Sequence, residues 1–262
     1  MNNEEKNNDE NEDEEQEKEP EYNNNNEETT DIEHEEQESE RVIGSKDLRD
    51  TGPEPTLGKY EGQLLDGKAD GKGTWNCYAS KDKYEGYFVN DKKEGKGIYS
   101  WIQGDKYEGF YKNDVRSGNG KLTNIEGEKY EGEWLDDMRN GFGINKWKSG
   151  DQYEGNYKDN VMHGIGTYKW ADEETYKGNW TNGMKDGYGI LTKTNGDVYD
   201  GMWKNDEMNG LGVYTSKDGR KYDGVYKEGK KHGQFKFTNK NKVSSKRIYE
   251  DDKQVQRKKT KK

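Results

Sequence analysis

The chain of 262 residues is polar for its length: 38% of its residues are charged, 26% are hydrophobic, and the formal net charge is −11. This balance excludes a compact globule with a large aliphatic core, which a chain of this length could otherwise form. Because 12% of the residues are aromatic and 34 are glycine, we expect the ordered part to be built from rings and glycines.

The chain begins with an acidic, Asn- and Glu-rich stretch. Residues 1–58 hold 22 acidic and 5 basic side chains, too few apolar groups to offset the entropy of ordering. We therefore predict a disordered tail over 1–58. Its one apolar island, residues 41–45, is either a docking peptide or, as we favour, a linker. Pro53 and Pro55 end the tail.

A single phrase is repeated over residues 59–237. Its clearest copy reads YEGEW at 130–134, DD at 136–137 and GFG at 141–143. The spacing between copies is 24 once and 23 thereafter, and a second glycine landmark opens eleven residues after each tyrosine. Two landmarks in one phase identify a repeat array. After the first copy, which begins at Tyr60, the structural positions are Tyr84 and Gly86, Tyr107 and Gly109, Tyr130 and Gly132, Tyr153 and Gly155, Tyr176 and Gly178, Tyr199 and Gly201, and Tyr222 and Gly224.

The phrase alternates with a period of two, which predicts strands. Tyr130, Gly132 and Trp134 fall on one face of such a strand and the two glutamates on the other. Asn, Asp and Gly at offsets six and seven from each tyrosine favour a hairpin turn. We therefore predict an all-β fold: an elongated, single-layer antiparallel ribbon of eight stacked hairpins, with the rings lying across glycines of neighbouring strands.

The segment 130–143 resembles the MORN repeat, whose pattern runs Y-E-G-x-W-x-N-G-x-x-x-G-x-G. The resemblance covers about residues 59–237 and implies a long antiparallel sheet that serves as a scaffold, a dimerisation strip or a lipid-facing surface. The settings known for this family include radial-spoke heads of cilia, cytoskeletal collars, membrane tethers, and modules attached to enzymes. Its enzymes carry a separate catalytic domain, and none fits in the tails of this chain.

The copies at the two ends depart from the pattern. The first has Leu64 in place of the second ring, and in the last Phe235 replaces the second glycine, which suggests a lid over the final hairpin. A degenerate half repeat is expected near 248–251. Terminal repeats lack one neighbour, so atypical sequences are expected there. The remaining residues, 238–262, form a basic tail that ends RKKTKK.

The sequence offers no candidate catalytic, cofactor-binding or metal-binding residues, and we expect neither an enzyme nor a cofactor. The glycine pairs lack the third glycine of a dinucleotide fingerprint and the lysine of a phosphate loop. His163 and His232 occupy a repeat position that other copies fill with small or polar residues, so they read as turn residues. The glutamates after the tyrosines read as a solvated stripe rather than a calcium ladder.

The function we expect is that of a non-enzymatic scaffold or adaptor in a cytoskeletal, and by resemblance ciliary or axonemal, assembly. Protein partners would bind an aromatic face centred on Trp134, Tyr157, Trp180 and Trp203, since exposed apolar patches mark interaction sites. Alternatively, the ribbon curls enough to bury these rings internally. The two interpretations are weighed equally, and self-association of the ribbon is left open.

The main alternative is a membrane-contact module that binds anionic phospholipids through the array or the basic tail. Nucleic acid is an unfavoured partner because the array is nearly neutral. Without a signal peptide or a long apolar run, and with Cys77 as the one cysteine, we expect a cytoplasmic, cytoskeletal location, with cilium or axoneme suspected.

Overall fold

The computed structural model describes residues 40–51 and 56–256, and all regular structure in them is β. The expected tail therefore lies largely outside the described residues, as do residues 257–262. The strands are β1 Val42–Arg49, β2 Leu57–Leu65, β3 Lys68–Cys77, β4 Lys83–Val89, β5 Lys92–Ser100, β6 Lys106–Lys112, β7 Val115–Thr123, β8 Lys129–Leu135, β9 Met138–Lys146, β10 Gln152–Lys158, β11 Val161–Lys169, β12 Thr175–Thr181, β13 Met184–Thr192, β14 Val198–Lys204, β15 Glu207–Thr215, β16 Lys221–Lys227, β17 Lys230–Thr238, β18 Ser244–Glu250 and β19 Lys253–Val255.

The strands form one open antiparallel sheet in which each strand pairs with its neighbours in the chain. β1 pairs with β2, and the pattern continues without a crossover to β18 and β19. The predicted all-β, single-layer architecture of stacked hairpins is confirmed. Because every strand pairing in the described residues is between chain neighbours, each hairpin depends on the strands to either side of it.

The hairpin turns have the backbone that their residues predict. Asn113 and Asp114, between β6 and β7, have φ of 50° and 73°. Two successive positive values define the type I′ turn, whose twist matches that of the flanking strands. Asn, Asp and Gly tolerate this conformation best, and this explains why the array uses them at offsets six and seven.

The two glycines of each Gly-x-Gly pair have different roles. The first, such as Gly141 with φ 86°, lies where the register between β8 and β9 shifts, so it forms a β-bulge. The second leaves space: a Cβ on Gly143 would lie 2.4 Å from the Tyr130 hydroxyl. The pair thus bends the strand with one residue and receives a ring on the other.

The core is a row of aromatic rings on one side of the sheet, here called the ring face. Tyr130 is 3% exposed and lies over Gly132 and Gly143. Its ring meets Trp134 edge-on at 5.1 Å and Tyr157 of the next hairpin at 5.4 Å, a favourable aromatic geometry. The prediction that rings lie across glycines is confirmed. Seven "slot tyrosines" share the arrangement and donate their hydroxyl to the carbonyl three residues on: Tyr60, Tyr84, Tyr107, Tyr130, Tyr153, Tyr176 and Tyr199.

The array extends beyond the predicted boundaries at both ends. Residues 42–49 form β1, so the expectation that the whole stretch 1–58 is disordered is wrong for this part. Leu48 is 6% exposed, and its carbonyl accepts a hydrogen bond from the Trp75 indole at 3.0 Å. β1 has little apolar surface of its own, and it is ordered because it pairs with β2 and covers the Trp75 ring of the first repeat. The predicted half repeat near 248–251 is part of a ninth hairpin, β18–β19, so the basic tail expected at 238–262 begins as ordered strand.

Candidate interaction surface

The four rings proposed as a partner-binding face are buried within the chain. Trp134, Tyr157, Trp180 and Trp203 are 5%, 4%, 4% and 5% exposed, so the hypothesis that a partner packs on them is wrong and the alternative, internal burial, holds. Each ring lies edge-on between two slot tyrosines, and the three indoles donate to glycine carbonyls at 3.1 to 3.3 Å. Neighbouring hairpins complete this cover, which one repeat seen alone cannot show.

Cationic side chains lie on top of the rings. Arg116 places its guanidinium carbon 4.2 Å from the centre of the Trp134 ring, and Lys185 places its ammonium nitrogen 4.7 Å from that of Trp203. Such contacts stabilise a partly desolvated cation by about 0.5–2 kcal/mol. A partner that approaches the ring face therefore meets cations with aromatic edges between them.

Arg116 and Lys185 each belong to what we call a rung: the residue nine after the tyrosine of one repeat and the second turn residue of the next. At Arg116 and Asp137 the carboxylate accepts from the Arg116 backbone N–H at 2.9 Å and from its Nε at 2.8 Å. The rungs are Ala69/Asp91, Lys93/Asp114, Arg116/Asp137, Arg139/Asn160, Met162/Gly183, Lys185/Asp206, Met208/Gly229 and Lys231/Asp252.

The two members of a rung match in chemistry. Both rungs whose turn residue is glycine have methionine as the other member, whereas an aspartate turn residue goes with lysine or arginine in four rungs. In the first rung the cation comes from β1, because Lys46 pairs with Asp91 at 2.8 Å. Within the described residues the one exception is Arg139, which faces the neutral amide of Asn160.

A groove runs along the ring face beside the rungs. It consists of two adjoining depressions of about 540 Å³ and about 420 Å³ that share Arg116 and Asp137. Its apolar walls are half-buried rings and aliphatic side chains, among them Tyr99, Trp101, Leu122 and Trp147. Most of the remaining lining is polar or charged, so the groove offers a partner both rings and fixed charges.

The opposite side of the sheet, the outer face, carries a second apolar surface. In the later repeats its central line is a stripe of large side chains that are 40 to 69% exposed: Phe142, Ile165, Tyr188, Met202, Leu211 and Val225. From Tyr188 to Val225 the stripe is continuous, because Tyr188 pairs with Met202 and Leu211 with Val225. Before that, Phe142 and Ile165 pair with Asn156 and Asn179. A mainly acidic row, interrupted by Lys177, lies along one flank (Glu131, Glu154, Asp200, Asp223), and a lysine row, interrupted by Thr181, lies along the other (Lys158, Lys204, Lys227).

Titration on the ring face concerns tyrosines. Burial is the main cause that raises the pKa of Tyr107 and of Tyr157 to about 12, and in both the nearby arginine opposes the rise. Both hydroxyls stay protonated, and that of Tyr107 donates to the Phe110 carbonyl at 3.1 Å. In the described residues no group of His, Cys, Asp and Glu is arranged to hold a metal ion, and no helix is long and apolar enough to cross a bilayer.

The predicted structural positions come together as expected in the interior repeats but not in the last. Tyr222 is half-buried, and Phe235, which we expected to be a lid, is fully buried against Gly224. Sequence reasoning missed the rungs, including Arg139 and Asn160. The sequence held a signal for them. When the second turn residue of each repeat is compared with the residue nine after the tyrosine of the preceding repeat, Asp goes with Lys or Arg and Gly goes with Met.

The similarity to known proteins outside the repeat family is weak. No curated protein matches the chain. Among solved structures, the TCP domain of SAS-4 (dCPAP) of Drosophila melanogaster, in complex with a proline-rich motif of Ana2 (dSTIL), is 11% identical with a TM-score of 0.38, covering 58% of this chain and 83% of its own. A streptogramin B lyase is 13% identical with a TM-score of 0.15, covering 79% and 73%.

The sequence profile of the MORN repeat matches eight successive segments of the array. They are residues 60–77, 84–106, 107–127, 130–152, 153–175, 176–198, 199–219 and 222–238, which together make up more than half of the chain and coincide with the hairpins described above. The chain belongs to the MORN-repeat family, whose repeat is a structural scaffold module and not an enzyme.

Proposed function

We propose that the chain is a non-enzymatic scaffold that holds a segment of a protein partner in the groove of the ring face, within a cytoskeletal assembly of ciliary or axonemal type. The groove carries this proposal. It runs past several hairpins with aromatic walls, and its cations already lie in fixed positions on the rings. The cytoskeletal and ciliary setting is supported by the resemblance seen in the sequence.

Fixed walls favour binding because little ordering entropy remains to be lost when a partner docks. The wall residues of the groove, such as Trp101 and Trp147, are half-buried, so part of each ring remains free for contact. The groove has the same repeat as the hairpins, and an extended or helical partner segment can therefore contact one repeat after another. Affinity then accumulates over several weak contacts.

Localisation of a tagged full-length chain tests the proposal. We expect the wild type in the cytoskeletal fraction and Trp101→Ser/Trp147→Ser lost from it, while Phe142→Ser/Leu211→Ser on the outer face remains attached. Circular dichroism of each variant verifies the sheet. Soluble wild-type protein, or a groove variant that localises normally, would contradict the proposal.

The outer-face stripe favours self-association, in which another copy of the chain packs on this stripe. If the two sheets face each other about a two-fold axis along the stacking direction, the acidic row of one copy faces the lysine row of the other. Sedimentation velocity tests this contact. Leu211→Lys is expected to shift a dimer to monomer, and a monomeric wild type at all concentrations would refute it.

Contact with anionic lipid remains the alternative. The lysine row on the outer face suits such a surface, whereas the acidic row opposes it. Liposome flotation with phosphatidylserine vesicles decides the matter, and the truncation should begin at residue 257 because residues 244–255 are needed for the last hairpin. Flotation of the full chain and of the truncated chain would replace the protein-scaffold proposal with this one.

A further inference from the structure

The rung formed by Arg139 and Asn160 is the exception in an otherwise neutralised series. The other rung cations each have a carboxylate within 4 Å: Lys93 at 2.8 Å from Asp50, Arg116 at 2.8 Å from Asp137, Lys185 at 3.9 Å from Asp206 and Lys231 at 2.6 Å from Asp252. Arg139 has none among the described residues. Where the carboxylate would be, the amide oxygen of Asn160 accepts the Arg139 backbone N–H at 2.8 Å.

The guanidinium of Arg139 is nevertheless held in place. One Nη donates to the Asn160 carbonyl at 3.1 Å, and the guanidinium carbon lies 5.1 Å from the centre of the Tyr157 ring and 5.6 Å from that of Tyr130. In the described structure this is its one side-chain hydrogen bond, so the remaining N–H groups are available to another acceptor. An ordered guanidinium with free donors recognises a planar carboxylate well.

A second observation falls at the same rung. The hydroxyl of Tyr157, a side chain 4% exposed, is the one buried side-chain polar atom without a hydrogen-bond partner in the described part of the chain. An unsatisfied buried hydroxyl costs roughly 1–3 kcal/mol. Arg139 is therefore a cation without a counter-charge, and the Tyr157 hydroxyl is a donor without an acceptor. One incoming acceptor group would neutralise Arg139 and lie beside this hydroxyl.

The surroundings of Arg139 decide which anion fits. Asp137, which is paired with Arg116, lines this part of the groove together with Glu128 and Lys129, and the apolar walls are Leu122 and Trp147. These four charges balance, so Arg139 is the one cation left over in this lining. A single carboxylate on an apolar segment matches it, whereas a dianionic phosphate brings one negative charge too many. A protein side chain thus suits the site better than a phosphoinositide headgroup.

We infer that Arg139, with Tyr157 beside it, is the binding site for an Asp or Glu carboxylate of the partner segment held in the groove. This inference rests on the proposed function and specifies which partners the groove selects: segments with an acidic side chain next to apolar ones. Asn160 keeps the site open, because an aspartate at that position would neutralise Arg139 from within the chain.

The test is a change that fills the site while preserving the fold. Asn160→Asp copies the Arg116/Asp137 rung, so the variant should be at least as stable as the wild type. Asn182→Asp serves as the matched control, since it makes the same chemical change at an exposed hairpin turn without a rung cation. A random-peptide display library, panned on the full chain, supplies the probe.

Peptides that contain Asp or Glu beside apolar residues should be enriched on the wild type and on Asn182→Asp. Their affinity for Asn160→Asp and for Arg139→Gln should fall roughly 10- to 100-fold, the range expected when a hydrogen bond to a charged group is lost. Tyr157→Phe should weaken the same peptides without destabilising the free chain, because its hydroxyl has no partner there.

The possible failures are distinguishable. Binding in the groove is shown by loss of affinity for Trp147→Ser. If peptides bind there but lack acidic residues, or bind Asn160→Asp as well as the wild type, the carboxylate site is wrong and the groove proposal stands. If no peptide is enriched on the wild type, both the groove proposal and this inference are wrong.

Discussion

An interior hairpin and the eighth hairpin, β16–β17, solve the same packing problem from opposite strands. In the repeat that begins at Tyr199, the tyrosine ring fills the space over Gly212, whose added Cβ would lie 2.4 Å from the hydroxyl. In the final repeat Phe235 replaces that glycine, and its ring fills the space over Gly224 instead. Tyr222 is displaced to a half-buried position, and its ring centre lies 5.0 Å from that of Phe237.

This difference shows what the repeat requires. Each hairpin needs one ring in the slot and a glycine opposite it, but either strand can provide the ring. The exchange occurs at the last profile-matched repeat, where β18 brings Tyr249 against Phe235 at 5.3 Å. The apparent loss of the pattern at residue 235 is therefore a reversal of the two roles, and the slot remains filled.

The largest effect that we predict is unfolding of the array at alkaline pH, caused by ionisation of the slot tyrosines. Burial raises the pKa of slot tyrosines such as Tyr107 and Tyr199 from 10.0 to about 12. A raised folded-state pKa means that the stabilisation is fully present below pH 10 and is lost as the pH rises from 10 through 12, because the unfolded chain ionises first. We expect cooperative unfolding in this window, with tyrosinate absorbance and circular dichroism changing together.

Replacing slot tyrosines by phenylalanine, the residue that fills the slot of the eighth hairpin, sharpens this test. A variant with Tyr130→Phe, Tyr153→Phe and Tyr176→Phe should unfold at higher pH than the wild type, since these positions no longer release protons. Tyr188→Phe on the outer face is the control, because its side chain is 49% exposed. Equal midpoints for the triple variant and the control would show that slot ionisation does not drive the transition.

Removal of a slot ring should separate the two kinds of hairpin by stability. Tyr153→Ala deletes a fully buried ring and should lower the free energy of unfolding by about 3–5 kcal/mol. Tyr222→Ala deletes a ring already displaced by Phe235, so we expect on the order of 1–2 kcal/mol. Urea unfolding of both variants measures the difference, and similar losses would contradict the role assigned to Phe235.

The reversal can also be engineered into the interior. Gly166→Phe places a ring where a Cβ alone would lie 2.3 Å from the Tyr153 hydroxyl, and overpacking of this kind costs about 1–3 kcal/mol or more. Adding Tyr153→Ala vacates the slot for the new ring. The double variant should be more stable than either single variant. A double-mutant cycle with no coupling would mean that the slot accepts a ring from one strand only.

The sequence was sufficient for the hairpins because ring, glycine and turn recur together in each copy. It was insufficient at β1, where one buried side chain, Leu48, contributes to a surface made by the next strand. It was also insufficient for the fate of Trp134 and its equivalents, whose burial depends on the hairpins to either side. The rungs were missed because Arg139 and Asn160 belong to different repeats, and a repeat read alone does not bring them together.

The last prediction concerns the rungs, which differ between the two halves of the array, and it includes the smallest effect, that of Asp206→Gly. Asp114 is 4% exposed and accepts hydrogen bonds from the Lys93 backbone, at 2.7 Å, and from Thr51 beyond β1. Asp206 occupies the same position later in the array, but its side chain is 50% exposed, and it accepts the Lys185 backbone N–H at 2.9 Å.

Substitution by glycine at both positions imitates the rungs that end in Gly183 and Gly229 and introduces no strain at a positive φ. Asp114→Gly should destabilise the chain by about 1.5–3 kcal/mol because buried donors lose a charged acceptor, and Asp206→Gly by about 0.5–1 kcal/mol because water replaces the carboxylate. Thermal unfolding of the two variants in parallel measures the ratio. Equal losses would show that β1 and the segment after it add nothing to the first rungs, and that the N-terminal end is held by strand pairing alone.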